Sequence, residues 1–387
     1  MLPPPHGGRL IDRVLSEPER TRRESEVASL PRLHPSEDEL FDLEKIAVGA
    51  YSPLTGFMDS QELESVVGRG RLPNDLPWSM PILLTPRSRE DRETAGRLGA
   101  GESVALLDGA ERMVGLLSFR ERFTLDRTRI ARSIFGTVDP AHPNVADLLA
   151  GGETAIAGTV ELVRPLHLAA RDLEMGPREV REEFARRGWS SVAAYQCRNP
   201  PHTAHEYLQR ITLERPDVDG LFVHPVVGRL KSGDYRPEVI LAAYQALLSA
   251  YYPPDRVLLA SLSIAMRYAG PKAALFLAIV RKNFGCGLYI VGRDQAGVGA
   301  YYPPFAAHAI FDEFDIGVVP LRYGETFHCR RCGGMASPKT CAHPAEDRVA
   351  TSQTRIRQAL RDGSPLPPEI IRPEVARVLS GPSVLLP

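Results

Sequence analysis

The segment Gln196-Cys197-Arg198-Asn199-Pro200-Pro201-His202-Thr203-Ala204-His205-Glu206 is the richest in chemistry along this chain. His202 and His205 are three residues apart, so on entering a helix they share a face. That first turn also offers unpaired backbone N–H groups and the positive end of a helix dipole. A phosphate chain suits such a place. Two imidazoles can donate hydrogen bonds to the charge that builds up as pyrophosphate departs, and Arg198 presents a planar fork that fits a tetrahedral oxyanion. The same histidine pair would also serve to cap a helix or to ligate a metal.

A second loop, Gly292-Arg293-Asp294-Gln295-Ala296-Gly297-Val298-Gly299, has three glycines that let backbone approach a ligand closely, and it carries another arginine. Arg198 and Arg293, each on a loop at the end of a strand, are expected to converge on a doubly charged anion. Lys231 and Arg267 fall in further strand-to-helix turns and read as ordinary solvated surface charges. A separate group, Cys329-x-x-Cys332 followed by Cys341-x-His343, supplies four ligands within fifteen residues. That is enough for a closed tetrahedral zinc site with no open position for catalysis; His328 is the substitute if the tight Cys341–His343 spacing fails.

The elements that must position these groups alternate. The sequence predicts strands at Val192–Tyr195, Gly220–Val227, Arg256–Ile264 and Gly287–Val291, with helices at 177–187, Thr203–Leu213, Pro237–Leu248 and Pro271–Asn283 between them. Such an order implies a parallel sheet covered by helices, with ligands at the carboxyl ends of the strands. Before it, apolar positions Leu40, Leu43 and Ile46 mark a helix. Runs at Pro81–Leu84, Val104–Leu107 and Met113–Phe119 read as strands of a small β-rich domain. The first thirty residues show no period and read as a loosely held arm. After Tyr323 come the cysteines and a helix at Gln353–Arg361. No Walker-type phosphate loop occurs.

With these elements in place, the chain from about residue 37 onward resembles the sulfate adenylyltransferase (ATP sulfurylase) family, in the form without a fused kinase domain. Besides the two loops, the resemblance rests on the block from Gly49 to Met58, His224-Pro225 with Gly228, the turn Met266–Pro271, Arg281-Lys282-Asn283 and Lys339-Thr340-Cys341. It implies a Rossmann-like nucleotidyltransferase (HUP-type) parallel sheet at 166–322. An N-terminal arm and PUA-like domain at 1–165 would precede it, and a small zinc-bearing C-terminal domain at 323–387 would follow.

It also implies that sulfate attacks the α-phosphorus of ATP, with Mg²⁺ on the nucleotide, to give adenylyl sulfate and pyrophosphate. Gln196, Arg198, Arg293 and the Ala296 backbone would hold sulfate. Gln196, Cys197, Arg198 and Asn199, with Gly292, Arg293, Asp294 and Gln295, would hold ATP. His202 and His205 would stabilise the transition state. A homo-oligomer, such as a dimer, is expected. Three positions depart from the family: Cys197 where threonine is usual, and Gln295 and Leu277 where histidine is usual. Cys197 replaces a hydroxyl donor with a weak thiol one; as a nucleophile activated by Arg198 it would define different chemistry. The three departures together leave another tetrahedral oxyanion, such as selenate or a phosphonate, or a non-catalytic nucleotide binder, as competing readings.

Bulk properties narrow the field. A net charge of −1, from 47 basic and 48 acidic side chains, provides no field for nucleic acid or an anionic membrane. No apolar run approaches the roughly eighteen residues that span a bilayer. Clustered cysteines suit a metal in a reducing compartment, hence a cytoplasmic expectation.

Overall fold

Three sheets organise the chain in a computed structural model that describes residues 1–26, 29–168, 170–229, 232–351, 353–381 and 383–386. Lys231 lies outside them. The first sheet combines β1 (Arg32–Leu33), β2 (Gly56–Phe57), β3 (Ser103–Leu107), β4 (Met113–Thr124) and β5 (Thr154–Leu162) in the order β1-β3-β4-β5-β2. The β3-β4-β5 core is antiparallel, and the helix Glu37–Ala47 packs against it through Leu40, Leu43 and Ile46. The expected strand at Pro81–Leu84 reduces to an isolated bridge between Leu84 and Ile156, since Pro81 has no N–H to give a ladder.

The second sheet is parallel throughout: β6 (Val192–Tyr195), β7 (Gly220–Val223), β8 (Val257–Leu259), β9 (Leu288–Val291) and β10 (Val319–Arg322), in the order β10-β9-β6-β7-β8. Every residue of β6, β7 and β9 is buried, as a parallel sheet covered on both faces requires. The chain runs outward from β6 through β7 to β8, then returns to lay β9 on the other side of β6. The order therefore reverses between β6 and β9, and in such sheets that reversal opens the ligand crevice. Helices Thr203–Leu213 and Pro271–Asn283 have the extents that the sequence predicts. Strands β7 and β8 are shorter than expected. Beyond Val223 the chain turns at His224-Pro225, and the N–H of Val226 instead bonds the carbonyl of Cys197 at 2.8 Å, which pins the loop after β6.

The third sheet, β11 (Phe327–Cys329), β12 (Gly334–Ala336) and β13 (Arg348–Val349), is a small antiparallel unit that carries the cysteine cluster. Beyond it, Ile356, Ile370, Ile371, Val375 and Leu379 pack with Ile240, Leu241 and Leu247 against the parallel sheet.

The N-terminal arm is not loose. His6 is buried, and its N–H bonds the Asn283 side chain at 2.8 Å; Ile11 is buried too. The Arg13 N–H reaches the Ala47 carbonyl, while Leu15 and Leu162 bond through their backbones. Extended backbone docked on an edge needs no sequence period, which is why composition misread it. The charged helix Glu17–Glu26 that follows buries nothing. Arg267 also departs from the surface reading: its side chain is 14% exposed and ion-paired at 2.5 Å with Asp42, which is 3% exposed. The pair ties the turn after β8 to the helix Glu37–Ala47. No helix among the described residues is long and apolar enough to cross a membrane.

Candidate active site

The loops after β6 and β9 leave adjacent strands, paired at Ala193–Leu288 and Ala194–Tyr289, and meet around a cleft of about 260 Å³. Arg198 from the first loop and Asp294 and Gln295 from the second line it, with Gly270, Pro271 and Tyr302 on the facing wall. The backbone of the second loop is strained. Asp294 and Ala296 hold φ values of 54° and 56°, a left-handed conformation that non-glycine residues adopt at a cost of about 1 kcal/mol or more. Gly270, at φ 52°, is required: a Cβ there would meet the Tyr302 ring at 2.5 Å.

Tyr289, fully buried on β9, joins the loops. Its hydroxyl donates to Oε1 of the Gln196 side chain at 3.0 Å and accepts from the Gln295 side-chain amide at 3.2 Å. With its oxygen engaged, Gln196 has its NH₂ left to present. The Arg198 guanidinium donates to the Tyr268 hydroxyl at 2.7 Å and lies 4.8 Å from that ring's centroid. Asn199 accepts from Arg357 at 2.9 Å, and the Pro200 carbonyl accepts from Gln353 at 2.8 Å, so the helix Gln353–Arg361 backs the loop. Tyr268, Tyr289 and Arg357 were not singled out as site residues from the sequence. Only their place in three dimensions, 70, 93 and 158 residues from Arg198, Gln196 and Asn199 respectively, reveals them.

His202 caps the helix Thr203–Leu213, its Nδ1 accepting from the His205 N–H at 3.4 Å; the ring proton therefore sits on Nε2. The His202 and His205 rings stack with centroids 3.6 Å apart at 21°. Burial holds both neutral. It pushes His205 down to about 3 and His202 well below the ordinary imidazole value, with the neighbouring His205 ring adding to the effect on His202. The expected row of unpaired N–H groups is shortened. The Thr203 N–H is taken by the Ile370 carbonyl at 2.9 Å and that of His205 by the His202 ring.

Two further expectations change. The Arg293 side chain is 47% exposed; it pairs with Asp294 at 3.2 Å and with Glu325 at 3.3 Å, and it is absent from the cleft lining. The loops converge; the two guanidinium groups do not share the cleft wall. Leu277 belongs to the main apolar core at 2% exposure, so it tunes packing and not a ligand. Cys197 lies 3.9 Å from His205 Nε2, and burial pushes its thiol up, which opposes a thiolate nucleophile. His224, Gly228 and Arg281 are structural. Arg281 is fully buried and donates to the His224 carbonyl at 3.1 Å, and a Cβ on Gly228 would collide with the Ile264 carbonyl.

The four ligand atoms of Cys329, Cys332, Cys341 and His343 lie within 4.8 Å of one another. Cys332 and Cys341 sulfurs are 3.7 Å apart, and His343 Nδ1 is 3.3, 3.3 and 3.6 Å from the sulfurs of Cys329, Cys332 and Cys341. Zn–S bonds of about 2.3 Å and Zn–N of about 2.0 Å in a tetrahedron set these separations at about 3.8 Å and 3.5 Å. The cluster can hold a metal, with His343 and not His328 as the fourth ligand.

Comparison with known proteins agrees with this arrangement. The ATP-sulfurylase family model matches residues 171–381, and the model of a PUA-like domain matches residues 3–165. A sulfate adenylyltransferase of Symbiobacterium thermophilum is 47% identical over 97% of this chain and 95% of its own length. Those of Chloroflexus aurantiacus and Staphylothermus marinus are 45% and 43% identical, each over 98% of this chain, and over 96% and 98% of their own. The solved structure of a hexameric APS kinase from Thiobacillus denitrificans, 26% identical, matches with a TM-score of 0.75 over 98% of this chain and 68% of that one.

Proposed function

The chain belongs to the ATP-sulfurylase family, and we propose that it performs the family's reaction in the cleft at the β6/β9 reversal. It is an enzyme that transfers the AMP of ATP to sulfate, giving adenylyl sulfate and pyrophosphate. The observation that carries the placement is that Arg198, from the loop after β6, and Asp294, Gln295, Gly297 and Gly299, from the loop after β9, line one cleft between adjacent parallel strands.

In this reading MgATP is the substrate, and a sulfate oxygen forms a bond to the α-phosphorus while the bond to the bridging oxygen of pyrophosphate breaks. Proximity and charge neutralisation supply the rate enhancement, with no covalent enzyme intermediate. Arg198 grips the oxyanion. Gln196 adds its NH₂, since its oxygen is held by Tyr289. The Ala296 N–H, which has no acceptor among the described residues, completes the grip. His202 Nε2–H and His205, both neutral, donate to the phosphate oxygens as charge moves toward pyrophosphate. Asn199, Gly292, Asp294 and Gln295 border the nucleotide, and Cys197 packs against His205. Arg293 joins the oxyanion on exchanging its ion pairs with Asp294 and Glu325 for it.

Zinc at Cys329, Cys332, Cys341 and His343 fastens the small sheet and takes no part in catalysis. We also assign the division 1–165, 166–322 and 323–387, a homo-oligomeric state with the dimer as its first form, and a cytoplasmic setting consistent with five unpaired cysteines. The test is product analysis by mass spectrometry with ATP, Mg²⁺ and pyrophosphatase in the presence of sulfate, selenate or a phosphonate. Adenylyl sulfate as the leading product supports the reading; a higher kcat/KM with another oxyanion rejects it.

A further inference from the structure

Residues 139–144 of the N-terminal domain reach across to the wall of the cleft. His142 is fully buried, and its Nδ1 accepts from the Val145 N–H at 3.4 Å, which leaves the ring proton on Nε2. That proton points at the Tyr268 carbonyl oxygen, 3.0 Å away. Asn144 meets the same residue: its Oδ1 accepts from the Tyr268 N–H at 2.9 Å, and its Nδ2 donates to the Met266 carbonyl at 3.3 Å. Both backbone polar groups of Tyr268 are thus held by the N-terminal domain. The neighbouring tyrosines are held from the same segment. Tyr301 donates to Asp139 at 2.8 Å, and the Tyr302 hydroxyl lies 3.3 Å from His142 Nε2.

The Tyr268 side chain in turn fixes Arg198, by a hydrogen bond to its hydroxyl and by the face of its ring. A phenol holds a guanidinium without neutralising it, as a carboxylate would, so the charge stays available to an anion. We propose that Tyr268 is a positioning residue for Arg198, and that Asn144 and His142 set Tyr268, so that the N-terminal domain is a working part of the acceptor site. The inference rests on the reading that Arg198 grips sulfate.

Steady-state kinetics of the full chain test it. Tyr268→Phe should raise the KM for sulfate about tenfold while the KM for ATP stays within about twofold, because one hydrogen bond to a charged group is lost, and Asn144→Ala, which frees the Tyr268 backbone, should shift the same constant in the same direction. Asn144→Asp keeps the acceptor for the Tyr268 N–H and should recover most of the loss. In an Arg198→Ala background, Tyr268→Phe should change nothing further, an outcome that a merely structural role would not give.

Equal rises in both KM values, or a Tyr268→Phe enzyme unchanged where Arg198→Ala is impaired, overturn the inference and leave the assignment of Arg198 standing. An Arg198→Ala enzyme with an unchanged KM for sulfate removes the premise itself. If Asn144→Ala does not fold, Tyr268→Phe, which deletes one oxygen atom, decides alone.

Discussion

The rings of His202 and His205 lie face to face, 3.6 Å between centroids, at the mouth of one helix. Two imidazolium cations would repel at that distance, and burial already favours the neutral forms. The pair therefore works through N–H dipoles and not through net charge.

Rate should follow from that. His202→Asn keeps a good helix cap but loses the Nε2–H donor, so kcat should fall about a hundredfold or more with little change in ATP affinity or melting temperature. His202→Ala should show the same kinetic loss plus about 1 kcal/mol of destabilisation. Parallel losses in kcat and in calorimetric ATP affinity would show that the ring only grips the ground state.

The same pKa shifts give a pH dependence of stability. The folded values lie below the unfolded imidazole value, so between pH 6.5 and about 3 the unfolded chain binds the extra protons and stability falls as the pH falls. His205 alone contributes at most about 1.4 kcal/mol per pH unit in that window. Urea midpoints at pH 7 and pH 5 should converge less in the wild type than in His205→Gln. Identical pH slopes for the two proteins would contradict a neutral His205 ring.

Tyr289→Phe removes the hydroxyl that holds Gln196 and Gln295 together. About 1 kcal/mol of stability should go with it, and kcat/KM for sulfate should drop about five- to tenfold, because the amide of Gln196 then loses its fixed orientation. Restoration of activity by high sulfate would locate the defect in binding; an unchanged kcat/KM would remove Tyr289 from the site.

One zinc per chain is expected by elemental mass spectrometry. Cys332→Ser should lose it and lower the melting temperature, while kcat per folded molecule changes by less than about twofold, because a four-ligand site leaves no open position. A kcat that tracks zinc content would place the metal in catalysis.

Much of this was legible from residue order. Pro177 and Pro271 start helices, Gly188 and Gly285 follow their ends, and apolar runs such as Val192–Tyr195 mark buried strands. The sheet and its two ligand loops follow from those signals. What stayed hidden has a common cause. β10 is an edge strand whose Val319 is 58% exposed and whose second residue is proline, so it carries neither apolar run nor alternation. The Arg198–Tyr268 and Asn199–Arg357 contacts join residues far apart in sequence, and no local pattern specifies them. The Arg293 side chain, turned outward, is ion-paired with Asp294 and with Glu325, the latter a residue with no signature of its own.

The bond from the backbone of residue 6 to the side chain of Asn283 also couples two segments made at different times. Residues 13 and 15 find their backbone partners in Ala47 and Leu162, and the His6 ring finds the Pro77 carbonyl, but the His6 N–H gains its partner only once the helix Pro271–Asn283 has been made. The hold on residue 6 is thus completed late, after every strand of the first sheet has been made.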